Sequence, residues 1–412
     1  MPATSARPTP STSTLQRADA QSVGLDPGRL GRIREALERD VKAGLIPGAV
    51  VGIARRGRLA YLEAVGMRDA AKAQPMWADA VFSIASMTKP MTSVAIMMLH
   101  EEGRLLLGDP ASKFLPQLKD IKVAKSPTSD TLELVACERE MTVQDLLRHT
   151  SGLTYRDRGT GAAYKTYPGS SVTASVKHSS DEFLDLISKS ALLYQPGTVW
   201  EYGFSTDMLG LIVEAVSGQP LGSFLKERLW GPLGMADTSF DLPEQSRSRY
   251  AHALPKCPLT GQPLVVHHAT GQATKWESGG GGAVSTAADY IRFTSMLLGG
   301  GALGGTRILG RKSVEMMSAD HLGQHIHNRI ETMDAACTGY GFGLGFAVRK
   351  AAGVPALLGS AGDYYWSGVY GTYFWVDPQE QLTCVWMAVT PGLVRLRYRP
   401  MIRALVYQAI VD

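Results

Sequence analysis

The sequence predicts an α+β fold, with an antiparallel sheet contributed by both ends of the chain, helices covering its faces and a helical lobe inserted in the middle. Three observations carry this expectation. A β-hairpin signal lies near the N-terminus, strand-like segments crowd the region from about residue 340, and helix-like and loop-like stretches dominate between them. At 412 residues the chain is long for one simple core, which favours two lobes. The expected division is a flexible tail over 1–20, a discontinuous α/β lobe over 21–105 and 218–412, and a mainly helical lobe over 106–217.

Each element has a local reason. The opening "MPATSARPTPSTSTLQRADA" is rich in Ser, Thr, Pro and Ala and lacks an apolar h-region, so it reads as a mobile tail and not as a signal peptide. Asp26–Pro27 then starts an amphipathic helix with Leu30, Ile33, Leu37 and Val41 at helical spacing. "PGAVVGIARRGRLAYLEAVG" places two β-rich runs around Arg56–Gly57. A helix begins near Ser86, and "MTVQDLLRHTSGLTY" is a short helix entering a Ser–Gly turn. Residues 156–180 read as loop. "SSDEFLDLISKS" is a capped helix, and "STDMLGLIVEAVSG" is another, ended by Gly218. "YGFGLGFAVRK", "YYWSGVYGTYFWVDP" and "QLTCVWMAVT" alternate like strands, with Asp377–Pro378 turning the last two into a hairpin. "VRLRYRPMIRALVYQAIVD" is a closing helix.

The composition narrows the function classes. A formal charge of +4 without a dense Lys/Arg block argues against nucleic-acid binding. No stretch of about 18 uninterrupted apolar residues offers a membrane span. Cys137, Cys257, Cys337 and Cys384 are far apart and form no CxxC pair, so free thiols are expected, not a disulfide framework or zinc site. The expectation is a soluble, cytoplasmic protein with no metal or cofactor.

One tetrapeptide bears on chemistry: Ser86-Met87-Thr88-Lys89, at the head of the apolar run "VFSIASMTKPMTSVAIMML". Ser-x-x-Lys alone is a weak signal, and a second copy, Ser223–Lys226, reads as a solvated helix face. For the first copy, i and i+3 share one helix face, so the amine can reach the hydroxyl. Apolar neighbours would desolvate Lys89 and lower its pKa towards that of a base. A helix N-terminus also suits a developing oxyanion. The competing reading makes Ser86 an ordinary N-cap, and these features alone leave the two level. Tyr202, in a turn before a helix, is the candidate to pass a proton to a leaving alcohol, although most tyrosines so placed are core residues.

Ser86–Lys89, "LLRHTSGL" at 146–153, Tyr202 after Pro196–Gly197, "GPLGMADTSF" at 231–240 and "GGGGAVSTAADYIRF" at 279–293 occur in that order. Over about residues 20–410 the chain thereby resembles the class C branch of the serine β-lactamase/penicillin-binding superfamily, and within it the family VIII carboxylesterases. The resemblance implies a β-lactamase-like two-lobe fold with the serine between the lobes. It implies that Ser86 is acylated, with Lys89 and Tyr202 as base and proton shuttle. By position Trp366-Ser367-Gly368 replaces the family's Lys-Thr-Gly, and the oxyanion hole uses the N–H groups of Ser86 and Val369. Trp366 lacks the lysine's charge, and Tyr202-Gly203-Phe204 lacks the Tyr-x-Asn asparagine. Both departures point from lactams to simple, neutral esters. Gly368 would let substrate approach the backbone.

The expected function is hydrolysis of short-chain carboxylic esters, with a small-molecule ester as the partner. A true β-lactamase, a D-amino-acid peptidase, an acyltransferase and a non-catalytic binding protein are the alternatives. Other motifs are weaker. No Gly-x-Ser-x-Gly elbow occurs, and the glycine run lacks a Gly-Lys-Ser/Thr ending. Thr286–Asp289 reads as a capping box. Gly323 interrupts any helical metal site from His321, His325 and His327, and His149 reads as a turn residue.

Overall fold

The computed structural model describes residues 15–412. Its main sheet is eight-stranded and antiparallel. The strands are β1 Gly48–Arg55, β2 Arg58–Asp69, β3 Gln74–Pro75, β4 Tyr340–Phe342, β5 Ala347–Arg349, β6 Tyr364–Ser367, β7 Tyr373–Asp377 and β8 Leu382–Ala388, in the order β4-β5-β6-β7-β8-β1-β2-β3. The two ends of the chain meet where β1 pairs with β8, with Val50 opposite Met387 and Gly52 opposite Val385. Arg56 and Gly57 both take positive φ, 52° and 72°, and this turn matches the twist of the β1–β2 hairpin.

Every residue of β1, β7 and β8 is buried, because helices cover both faces. Helix α1, Pro27–Lys42, is capped by the Asp26 carboxylate at the Arg29 N–H, 2.8 Å, and buries Leu30, Ile33 and Leu37. The other helices that matter to the site are α2 Thr88–Glu101, α3 Val143–Leu147, α4 Ser171–Lys177, α5 Ser180–Ser188, α6 Ser205–Ser217, α7 Ala287–Leu298 and α8 Val394–Tyr407. Successive β7 side chains go to opposite helices: Phe374 meets Tyr290 of α7, and Trp375 stacks on Tyr407 of α8. Helix α2 is buried from Thr88 through Leu99, as an apolar helix in the middle of a domain must be.

Four expectations need correction. The expected tail over 1–20 falls in part outside the described residues, and its remainder is docked. Leu15 is 1% exposed, and Gln16 and Ala18 exchange backbone hydrogen bonds with Leu59. The 156–180 loop contains α4, because Ser170 caps the Thr173 N–H and the small Ala174 and Ser175 fit against the core. "YYWSGVYGTYFWVDP" is two strands, split by a turn in which the Gly368 N–H bonds the Thr372 carbonyl at 2.8 Å. Thr286 caps α7, but Asp289 turns away to the Asp237 N–H and Thr238, so the capping box is half formed. The four cysteines are free, and among the described residues no single helix is long and apolar enough to cross a membrane.

Candidate active site

Ser86 sits in a 3-10 turn, Ala85–Met87, that leads into α2. Its side chain caps no backbone N–H, which removes the N-cap reading. It is also the one residue between Val81 and Leu99 that is not buried. The turn is clamped on three sides: Thr88 Oγ1 donates to the Ala85 carbonyl at 2.7 Å, Thr372 Oγ1 to the Ile84 carbonyl at 3.1 Å, and the Ile84 N–H to the Ala283 carbonyl at 3.1 Å. By contrast, both members of the second Ser-x-x-Lys copy, Ser223 and Lys226, are exposed.

Lys89 lies one turn on, 2% exposed, with Nζ 3.2 Å from Ser86 Oγ, 3.2 Å from the Tyr155 hydroxyl and 2.5 Å from the Gly280 carbonyl. The Tyr202 ring centroid is 4.7 Å from the same nitrogen. The Tyr202 hydroxyl accepts from the Trp366 indole N–H at 3.3 Å, so Trp366 is a hydrogen-bond donor to the phenol as well as an apolar wall. Neighbouring Glu201 fixes the Tyr202 segment: its buried carboxylate accepts from Thr154, Arg158 and Arg329. Gly203 permits this packing, since a Cβ there would lie 2.3 Å from Thr154 Cα.

The electrostatics overturn one expectation. Burial pulls the Lys89 ammonium down, as the sequence suggests, but Tyr155, Tyr202 and Asp207 around it outweigh burial and the net shift is upward. Tyr155 is the largest of these opposing influences, and Asp207 from α6, not visible as a neighbour in the sequence, adds to it. Burial pushes the Asp207 carboxyl up, with Lys89 and hydrogen bonds from Ser171, Ser278 and the Gly280 N–H opposing it. His149 is buried with φ 57° and stays neutral, its pKa driven well below the usual range by burial and by Lys89. It packs on the Tyr202 ring at 4.8 Å.

Ser86, Tyr155, Tyr202, Trp366, Ser367 and Val369 all line a cleft of about 260 Å³. Gly368 does not, and its expected role is corrected. A Cβ there would meet the Ile84 carbonyl at 2.4 Å and Thr372 Oγ1 at 2.3 Å, so the glycine lets this turn press against the serine-bearing segment. The far wall is not purely apolar. Arg158 and Arg399 face it paired with Glu201 and Asp334, and Arg395 faces it with one N–H on the Gly392 carbonyl. His321 is engaged with the Met316 carbonyl and Gln144, and among the described residues no group of three metal-ligating side chains converges.

Tyr155, Ser171, Asp207 and Gly280 were missed by sequence reasoning. Tyr155 ends the quoted "HTSGLTY", and Asp207 is an acid followed by the apolar run Met208–Val213, a signal of a buried charge that needs a partner.

A cleft between a sheet and a helical region, with a hydroxyl, an amine and phenols in hydrogen-bond reach at its floor, is suited to acyl transfer and defines a serine hydrolase. The chain belongs to the Beta-lactamase family, whose model matches residues 33–408. It is 33% identical over 367 residues to Protein Rv1367c of Mycobacterium tuberculosis, covering 87% of this chain and 89% of that one. It is 29% identical over 376 residues to Esterase EstB of Burkholderia gladioli, with 88% and 91% covered. Among solved structures it is similar to EstCE1, a hydrolase with promiscuous acyltransferase activity, with a TM-score of 0.74, 25% identity, and 92% and 99% covered.

Proposed function

We propose that this protein hydrolyses short-chain carboxylic esters through an acyl-enzyme on Ser86. The observation that carries the reading is the 3.2 Å contact between Lys89 Nζ and Ser86 Oγ at the floor of the cleft. Ser86 Oγ attacks the ester carbonyl and yields its proton to the Lys89–Tyr202 pair. The N–H groups of Ser86 and Val369 hold the oxyanion. The shared proton returns to the leaving alcohol through the Tyr202 hydroxyl, which the Trp366 N–H keeps aimed into the cleft. Water then attacks the acyl-enzyme by the same route in reverse. The cleft lies between a mainly helical lobe over 106–217 and the remainder, and a cytoplasmic location accords with the four free thiols.

Similarity to Esterase EstB supports an ester substrate. The uncharged Trp366 in place of a lysine favours esters over β-lactams and D-amino-acid peptides. Similarity to EstCE1 makes alcohol acceptors worth testing beside water. The test is turnover of a short-chain p-nitrophenyl ester and a cephalosporin by one preparation, with Ser86→Ala beside it. Ester cleavage should dominate and should fall at least about a thousandfold in the variant. Retained turnover in Ser86→Ala, or a failure of serine-directed probes to label the wild type at Ser86, overturns the reading.

A further inference from the structure

Beneath the cleft floor a chain of hydrogen bonds leads away from Lys89 and ends on a carboxylate. Lys89 Nζ is 3.2 Å from the Tyr155 hydroxyl, that hydroxyl is 2.7 Å from Ser171 Oγ, and Ser171 Oγ is 2.6 Å from Asp207 Oδ2. The three links join four residues from four places: α2, the segment after the Ser151–Gly152 turn, the start of α4 and the start of α6. Lys89, Ser171 and Asp207 are at most 4% exposed and Tyr155 is 8% exposed. The other oxygen of Asp207 is fully engaged by Ser278 Oγ at 2.6 Å and the Gly280 N–H at 3.1 Å, which leaves Oδ2 facing Ser171.

We propose that Asp207 is a positioning residue that takes up the spare proton of Lys89 through Tyr155 and Ser171, and so frees the amine to act on Ser86. The inference rests on the esterase reading above. In the transfer, Lys89 Nζ–H breaks and its proton goes to the Tyr155 oxygen. Tyr155 passes its own proton to Ser171 Oγ, and Ser171 passes its own to Asp207 Oδ2. One proton has moved, nothing is oxidised or reduced, and the ammonium and carboxylate become amine and acid. The neighbours of the resting lysine set it towards the charged form, and burial lowers the cost of passing through the neutral pair, since each charge is costly out of water. The Gly280 carbonyl keeps one amine N–H throughout, which holds Nζ in place while its lone pair turns to Ser86.

A plain buried ion pair is the competing account, and it would leave Lys89 charged and idle as a base. The charged and titratable groups facing the amine are Tyr155, Tyr202, Asp207 and the neutral His149. Those facing Asp207 are Lys89 and Tyr155, with hydrogen bonds from Ser171, Ser278 and the Gly280 N–H. Among the described residues no other acid hydrogen-bonds to a member of this route.

The experiment measures kcat/KM against pH for a short p-nitrophenyl ester. Ser171→Ala cuts the route but leaves Asp207 its charge, so Lys89 must lose its proton to solvent. The acid limb should move to higher pH and the rate at neutral pH should fall about tenfold to a hundredfold. Tyr155→Phe cuts a different link, keeps the ring against Phe204, and should move the limb the same way. Adding Asp207→Asn to Ser171→Ala removes the anion that holds the proton, so the limb should return to lower pH with part of the rate. The proposal is overturned if Ser171→Ala or Tyr155→Phe scales the rate equally at all pH. It is also overturned if the double variant only compounds the loss. An inactive wild type, or an active Ser86→Ala, overturns the esterase reading itself.

Discussion

From Leu382 to Ala388 each residue of β8 is buried and has its neighbours set by strand register, Phe374 opposite Val385 and Val51 opposite Trp386. Between Tyr155 and Ser171, a stretch with three-residue turns and no long element, backbone turns are joined to the rest by single side-chain bonds, among them Arg158 to Glu201, the Tyr155 hydroxyl to Ser171, and Ser171 to Asp207. The sheet is held by many equivalent apolar contacts, so each can be lost at a cost in stability. The cleft floor is held by a few polar contacts that are not interchangeable, so each can be lost at a cost in chemistry.

That contrast can be broken by experiment. Its largest expected effect is at Gly280, whose N–H bonds Asp207 and whose carbonyl bonds Lys89. A Cβ there would lie 2.3 Å from Asp207 Oδ2. Gly280→Ala should lower ester kcat/KM about a hundredfold through displacement near 1 Å, with a smaller change in Tm than core truncation gives. Trp375→Ala should do the reverse. It should cost about 3–5 kcal/mol in denaturant unfolding and leave the kinetic constants of the folded fraction unchanged, since Trp375 lies between β7 and α8.

A polar network on the scaffold side sharpens the comparison. His268 accepts from Ser83 Oγ at 2.7 Å with its other nitrogen on the Phe240 carbonyl, and burial, then neighbouring His267, holds its pKa down to about 4. Between pH 6.5 and about 4 the unfolded chain binds this proton and the folded one does not. Stability is therefore full above 6.5 and falls as pH drops through that window, and His268→Gln should flatten the fall in a Tm-versus-pH series. The smallest effect belongs to the exposed Lys125–Glu133 pair, where Glu133→Gln should change unfolding free energy by no more than about 0.5 kcal/mol.

Much of this was legible in the sequence, for a physical reason. The Arg56–Gly57 turn, the Asp26 cap and the alternation in β7 are written in neighbouring residues, and local geometry follows from them. Ser86 and Lys89 were legible because one helical turn brings them together. Asp207 is not, since its meeting with Lys89 depends on α6 packing beside α2, and the sign of the lysine's shift depends on Tyr155 and Tyr202 together with that acid. The packing of Gly368 is hidden in the same way, since its close neighbour is the Ile84 carbonyl, distant along the chain. α4 hides in the sequence because Ser, Thr and Val carry little helix propensity, and its start depends on the cap that Ser170 supplies.

Ala85 is held at φ 45°, in left-handed territory that a methyl-bearing residue enters at a cost of roughly 1 kcal/mol. Glycine would sit there at ease, yet would also let the bend unwind in other directions. The methyl group narrows the choices of the peptide that carries Ser86, much as a bent spring kept under load has no slack to rattle. A small, permanent discomfort one residue upstream thus keeps the hydroxyl's orientation from drifting.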